Sequence, residues 1–171
     1  MLPFPEGIRT SSSGSGQEKG EADVDAEEGV RNVILAIVAA ASQWKHSVFP
    51  EHVLFGLATS NDRITGEALK LLGVTTDRVA ALIDHHSSFL EGPRPFPEVG
   101  PLITPRAKRL LASMEEEATA LGHPKLLPAH LLLALTRDDL SPGVLDALHV
   151  DRTKMRSELL RRLGTKPMAG D

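Results

Sequence analysis

Part of this chain is written twice, and that constrains its fold more than any other feature. Residues 50–57 read PEHVLFGL and residues 128–135 read PAHLLLAL, an offset of 78. Farther on, 65–74 (TGEALKLLGV) and 141–150 (SPGVLDALHV) match at an offset of 76, so the loop between the two motifs is two residues shorter in the second half. Agreement in order, with a change in loop length alone, marks an internal duplication. The fold must be built from two like halves.

A proline-rich stretch divides them. Ser87 to Pro101 contains Pro93, Pro95, Pro97 and Pro101, with Gly92 and Gly100. Prolines fix φ and remove hydrogen-bond donors, so 87–101 reads as an extended linker. It separates a first repeat at about 25–86 from a second at about 102–164. Upstream, Thr10 to Gly20 reads TSSSGSGQEKG. Such a stretch buries too little apolar surface to offset its ordering entropy, and residues 1–24 read as a disordered tail. Residues 165–171 read as a second, short tail.

Each half carries four helical signals. The clearest is 104–121. Thr104 suits the N-cap and Pro105 the first helical position. Ala107, Leu110, Leu111, Met114, Ala118 and Leu121 then recur at helical spacing, and Glu115, Glu116 and Glu117 fall mostly off that stripe. The helix at 128–136 is apolar nearly all round, which predicts a central, buried position. A third begins at Ser141-Pro142. A fourth runs from Asp151 to Leu163, with Arg161 and Arg162 in its last turn and Gly164 to stop it. The first half repeats the plan near 26–44, 50–59, 65–72 and 75–85. Thr65 stands where Ser141 stands and Thr75 where Asp151 stands, so the caps are duplicated as well. No stretch alternates with period two, and no sheet is expected.

Composition excludes several functions. There are no cysteines, hence no disulfide, thiolate zinc site or thiol catalysis. Residues 1–28 hold seven acids and two bases, so the remainder, with 17 bases and 16 acids, is nearly neutral. Such a body has no electrostatic footprint for nucleic acid. The longest wholly apolar run, Val33 to Ala41, has nine residues, against about 20 for a membrane span. The N-terminus lacks the layout of a signal peptide. A cytoplasmic protein is expected, without nucleic-acid or membrane partners. No H-E-x-x-H or close His/Asp cluster points to a metal, no G-x-S-x-G elbow points to a nucleophile, and no cofactor motif occurs. His85 and His86 read as surface residues at a helix end.

From Ile103 to Leu135 the sequence reads ITPRAKRLLASMEEEATALGHPKLLPAHLLLAL. This segment resembles the Clp N-terminal repeat domain found at the front of ClpA, ClpB and ClpC unfoldases. Its members share the threonine-proline-arginine helix start, the Leu-Gly-His turn and a Glu-His-Leu-Leu helix. The first half matches through PEHVLFGL and through EALKLLGV at 67–74, so the resemblance covers about 25–164. It implies an all-α fold of eight helices, two four-helix repeats packed about a pseudo-twofold axis. The ATPase modules that follow in a Clp unfoldase need a G-x-x-x-x-G-K-[ST] loop, and none occurs here. An independent accessory protein, not an enzyme, is the expectation.

The resemblance also bears on residues. In ClpC-type members the acid of the Glu-His pair takes part in binding phosphorylated arginine, one site per repeat. Glu51 matches that position; in the second repeat it is Ala129. Phe49-Pro50 and Leu127-Pro128 replace the small polar residues that usually precede the acid. They read as core staples or as an apolar groove rim for a partner or substrate segment. His52 and His130 hold equivalent places at a helix start, where each imidazole can bond the preceding turn. In the first helix Val38 to Ala40 stand where the second half has Glu115 to Glu117. That apolar face marks a contact with another chain, such as self-association through helix 26–44, or with the tail or linker folded over it. Trp44 near its end reads as a core residue or an interface anchor.

The expected function is a protein-binding module that engages a Clp ATPase, a Clp protease core, an adaptor or a substrate polypeptide. A decoy that sequesters ligands of a full-length unfoldase is the variant within that class. A small hydrolase is the alternative from another class, and it needs converging titratable groups that the sequence does not offer at recognisable spacing.

Overall fold

The computed structural model describes residues 17–89, 101–137, 139 and 142–164. They form eight helices: α1 (Gln17–Gln43), α2 (Pro50–Thr59), α3 (Arg63–Leu71), α4 (Thr76–Phe89), α5 (Pro105–Ala120), α6 (Pro128–Leu135), α7 (Val144–Ala147) and α8 (Arg152–Arg162). The last four follow the plan of the first four in the same order. Among the described residues the β pairing is a single isolated parallel bridge, Val48 to Ile103.

α2 and α6 lie at the centre because they have no polar face to present. All eight residues of α6 are buried, and Leu54, Leu57, Leu131, Leu132 and Leu133 are almost entirely inaccessible. Each such leucine contributes about 1.5–3 kcal/mol relative to an exposed one. α1 crosses α2 and α5 crosses α6, closing the core from outside. In α5 the predicted stripe is the buried one, through Ala107, Leu110, Met114 and Ala118.

The turns are duplicated in their backbone. Gly122 ends α5 at φ +67°, and its counterpart Lys45 ends α1 at φ +53°. Gly73 after α3 has φ +69°, and His149 after α7 has φ +56°. At these two matched turns each half spends a glycine on one and forces a side chain into the other.

Several boundaries differ from the sequence expectation. α1 begins at Gln17, inside the stretch read as a disordered tail. Residues 17–28, QEKGEADVDAEE, are rich in glutamate and alanine, whose helix propensity outweighs the lone Gly20. The rest of that tail, residues 1–16, lies outside the described residues, as do most of the linker and residues 165–171. α4 continues to Phe89, four residues beyond the expected end at 85. In α3 the N-cap is Asp62, whose carboxylate accepts from the Thr65 N–H at 2.8 Å, and Thr65 sits buried in the first turn. α7 has four residues; Gly143 is its cap position, held by the Asp146 carboxylate, and Ser141 lies outside the described residues. The other caps stand where the sequence puts them. Thr75 Oγ1 accepts from Arg78 N–H at 3.3 Å, and Asp151 accepts from Lys154 N–H at 3.0 Å.

Two sets of contacts fix the repeats to each other. Val48 N–H donates to the Leu102 carbonyl (2.7 Å), and Thr104 donates to the Val48 carbonyl through its N–H (3.1 Å) and its hydroxyl (2.7 Å). At the far side Arg78 donates to the Leu148 carbonyl at 2.7 Å, and Arg162 pairs with Glu67.

Candidate functional site

The Val48–Ile103 bridge sets the starts of α2 and α5 side by side, and a cleft opens between them. Thr104 caps α5 by accepting from Ala107 N–H (3.3 Å), and Pro105 occupies its first position. Across from them stand Phe49, Pro50 and Glu51 at the start of α2. Together with Arg106 and the α7 segment they line a cleft of about 720 Å³. Phe49 has no side-chain acceptor to cap α2. Its ring packs instead on His46 and His52, with centroids 6.4 and 6.1 Å away.

Glu51 shares the wall of this cleft with two other charged residues, Arg106 and Asp146. Its side chain is 14% exposed, and its carboxylate lies 3.1 Å from His86 Nδ1 on α4. His86 was read from sequence as a surface residue. It is exposed, but it also reaches into the site, and nothing in a separation of 35 residues announced that meeting. On the α4 side of Glu51 lies a second, smaller cavity of about 250 Å³, walled by His46, Phe49, His52, Ile83 and Ser87 together with Glu51 and His86.

The paired histidines anchor both helix starts. Phe49 N–H donates to His52 Nδ1 at 3.0 Å, and Leu127 N–H donates to His130 Nδ1 at 2.9 Å. A residue at the third helical position thus reaches back to the cap N–H, as Glu or Gln does in a capping box. Burial lowers the pKa of each ring to about 4, helped by repulsion from His46 at His52 and from His123 at His130. Both are neutral at physiological pH.

The second repeat is built differently at the matching place. Ala129 replaces the acid and is fully buried, and Leu127 and Pro128 start α6 under the N-terminal part of α1, where a Cβ on Gly29 would stand 3.5 Å from the Pro128 ring. The structure therefore gathers Phe49, Pro50, Glu51, Thr104 and Pro105 into one cleft. Leu127 and Pro128 stand apart from it.

A third surface lies on α1. Ile34, Leu35 and Val38 are 46%, 57% and 41% exposed, and beside them Val30, Pro124 and Leu126 line a groove of about 520 Å³. Trp44 faces the other way. It packs edge-on against Phe55, and its indole N–H donates to Asp84 at 2.7 Å. Among the described residues no three His, Asp or Glu converge to hold a metal, and no helix is long and apolar enough to cross a membrane.

The fold is an all-helical double repeat with an acid-bearing cleft at the junction of the repeats. The chain belongs to the Clp repeat (R) N-terminal domain family, whose model matches residues 26–145 and 102–171. It is 34% identical over 144 residues to an ATP-dependent Clp protease ATP-binding subunit ClpA homolog of Guillardia theta, covering 81% of this chain and 17% of that protein. It is 32% identical to the chloroplastic chaperone protein ClpC of Pisum sativum, covering 81% of this chain and 15% of that protein. The chain thus spans about a sixth of these relatives. In fold it is similar to the Hsp104 N-terminal domain from Candida albicans, with a TM-score of 0.64 at 14% identity over 81% of this chain and 91% of that one. The N-terminal domain of ClpD from Arabidopsis thaliana gives 0.59 at 20% identity, over 80% of this chain and 95% of the other.

Proposed function

We propose that this protein is a non-catalytic polypeptide-binding module of the Clp unfoldase and protease system, acting as an adaptor, an accessory subunit or a substrate-recognition domain. The observation that carries the reading is the cleft of about 720 Å³ at the repeat junction, with an apolar rim at Phe49 and Pro50 and with Glu51, Asp146 and Arg106 in its wall. Its partner is a Clp ATPase, a Clp protease core, an adaptor or a substrate segment. A degradation assay with a reconstituted Clp ATPase and protease tests this. Faster substrate loss on adding the protein identifies an adaptor, and slower loss identifies a decoy. Unchanged degradation, together with no binding to either Clp component or to the substrate, rejects the reading.

A narrower form concerns Glu51. Its carboxylate has acceptor capacity left beside His86 and faces a cleft that also holds Arg106, so it suits the guanidinium of a phosphorylated arginine. Titration with a phosphoarginine peptide and its unphosphorylated twin decides it. Selective binding that is lost in Glu51→Ala supports the assignment, and equal or absent binding by the unaltered protein ends it. Ala129, buried and without a carboxylate, gives the second repeat no such site.

The exposed Ile34, Leu35 and Val38 favour a second contact, self-association through α1. Sedimentation of the unaltered protein and of Leu35→Glu is the check. A dimer that falls to monomer supports it, and a monomer at all concentrations removes it. For location we propose the cytoplasm, or a plastid as for the relatives whose names include "chloroplastic".

A further inference from the structure

One tetrapeptide precedes each repeat. Residues 3–6 and 95–98 both read PFPE, and both lie outside the described residues. The chain has only five phenylalanines and 12 prolines in 171 residues. Composition alone does not supply such an ordered tetrapeptide twice, and the recurrence marks a motif. Its chemistry is that of an anchor. Prolines on both sides restrict the backbone around the phenylalanine, so less entropy is lost when the ring docks. The glutamate that follows adds one negative charge.

The groove on α1 matches that chemistry. Its volume of about 520 Å³ lies in the range that takes a ligand the size of a few side chains. Val30, Ile34 and Leu126 make it apolar, and Arg31 and Lys125 set two bases in its wall against the single acid Glu27. Ile34 and Leu35 are 46% and 57% exposed there. An apolar groove with a net positive wall favours an apolar ligand that carries an acid.

Reach admits the copy at 3–6. Phe4 stands 13 residues before Gln17, where α1 begins. Arg31 lies 14 residues into the helix, about 21 Å along its axis at a rise of 1.5 Å per residue. A Gly/Ser-rich tether of 13 residues has an end-to-end distance of about 20 Å. TSSSGSG at 10–16 makes up most of this one. Effective concentration is greatest where the tether matches the span.

We propose that the groove on α1 is the docking site of the chain's own N-terminal segment, with Phe4 seated among Val30, Ile34 and Leu126 and the Glu6 carboxylate paired at the Arg31 and Lys125 wall. The segment then covers apolar surface that self-association through α1 needs, and a second copy has to displace it. The assignment concerns this groove alone and rests neither on the junction cleft nor on a Clp component.

The test uses the full chain, which has no cysteine of its own. A nitroxide on Gly7→Cys is read through the methyl resonances of Val30, Ile34 and Leu126. These are expected to broaden strongly while the label is oxidised and to recover when it is reduced. With the same label, Phe4→Ser should lose most of the broadening and keep the helical circular dichroism, and Glu6→Lys should weaken it. Broadening no greater than in Phe4→Ser overturns the assignment. So does loss on Phe96→Ser but not on Phe4→Ser, which gives the groove to the other copy of the motif. Full transfer of the broadening to unlabelled, isotope-enriched chains in a mixture gives it to a second molecule instead. No change on Glu6→Lys removes the charge pairing from the assignment.

Discussion

His123 Nδ1 lies 2.7 Å from His130 Nε2, and the other nitrogen of His130 accepts the N–H of Leu127 at 2.9 Å. This relay ties the turn after α5 to the start of α6 through one neutral ring. His52 makes only the helix-side half of it. A helix start that would ordinarily use a hydroxyl at its cap, at about 1 kcal/mol, is here secured from the third helical position. The apolar Phe49 and Leu127 are thereby tolerated at cap positions that usually need an oxygen.

Neutral buried histidines make stability depend on pH. His52 and His130 titrate at about 4 in the folded protein, against 6.5 for a free ring. Between these values the unfolded chain binds protons that the folded one does not. Stability is therefore full above pH 6.5 and falls as pH drops toward 4, by about 1.4 kcal/mol per pH unit for each ring. Urea unfolding at pH 7, 6 and 5 measures the slope. His130→Gln keeps an acceptor for the Leu127 N–H and removes one titrating group, so it should roughly halve that slope. An unchanged slope assigns the pH dependence elsewhere.

Gly56 marks the closest approach of α1 to α2. A Cβ there would stand 2.6 Å from Ile37 Cγ1 and 3.1 Å from both the Ile37 nitrogen and the Val33 carbonyl oxygen. The equivalent residue of α6 is Ala134, fully buried, so α5 crosses α6 with room for a methyl. Gly56→Ala should destabilise by about 1–3 kcal/mol, since backbone as well as side chain must move. Thermal unfolding followed by the fluorescence of Trp44, which packs on α2 through Phe55, reads the effect. A melting temperature equal to that of the unaltered protein would show that the helices can separate freely.

The duplication, the central position of α6, and the caps at Thr75, Thr104 and Asp151 were legible because each is written in local chemistry: an octet, an apolar run, a hydroxyl or carboxylate before a helix. Asp62 displaced Thr65 as a cap because a charged acceptor three residues upstream is stronger than a hydroxyl already inside the first turn. The start of α1 was missed because Ser and Gly just upstream dominated the reading of Glu- and Ala-rich residues that favour helix. Glu51 was found through its motif, whereas His86 and Ile83, which complete its surroundings, come from a helix more than 30 residues away and carry no local mark. The difference between the two histidine pairs was present in sequence as a spacing of six against seven. Only coordinates show that one residue decides between a closed relay and an open cavity.

Glu117 was expected off the buried stripe of α5, yet it is 5% exposed and faces inward. Arg156 on α8 takes both its oxygens, at 3.1 and 2.9 Å, and also reaches the Thr136 hydroxyl at 3.3 Å. The corresponding positions of the first repeat are Ala40 and Ala80, so this ion pair belongs to one half alone. Removing one partner of a fully buried pair costs about 3–5 kcal/mol, because the other charge is stranded. Here the Arg156 side chain keeps 38% exposure and can turn to water. Glu117→Ala should therefore cost less, about 2 kcal/mol. Replacing both, as in Glu117→Ala with Arg156→Ala, should recover part of that loss by leaving no unpaired charge. A double-mutant cycle by urea unfolding measures the coupling. Additive losses would mean that the two side chains act only through packing, and the first repeat, with its two alanines, would then be the sounder design of the two.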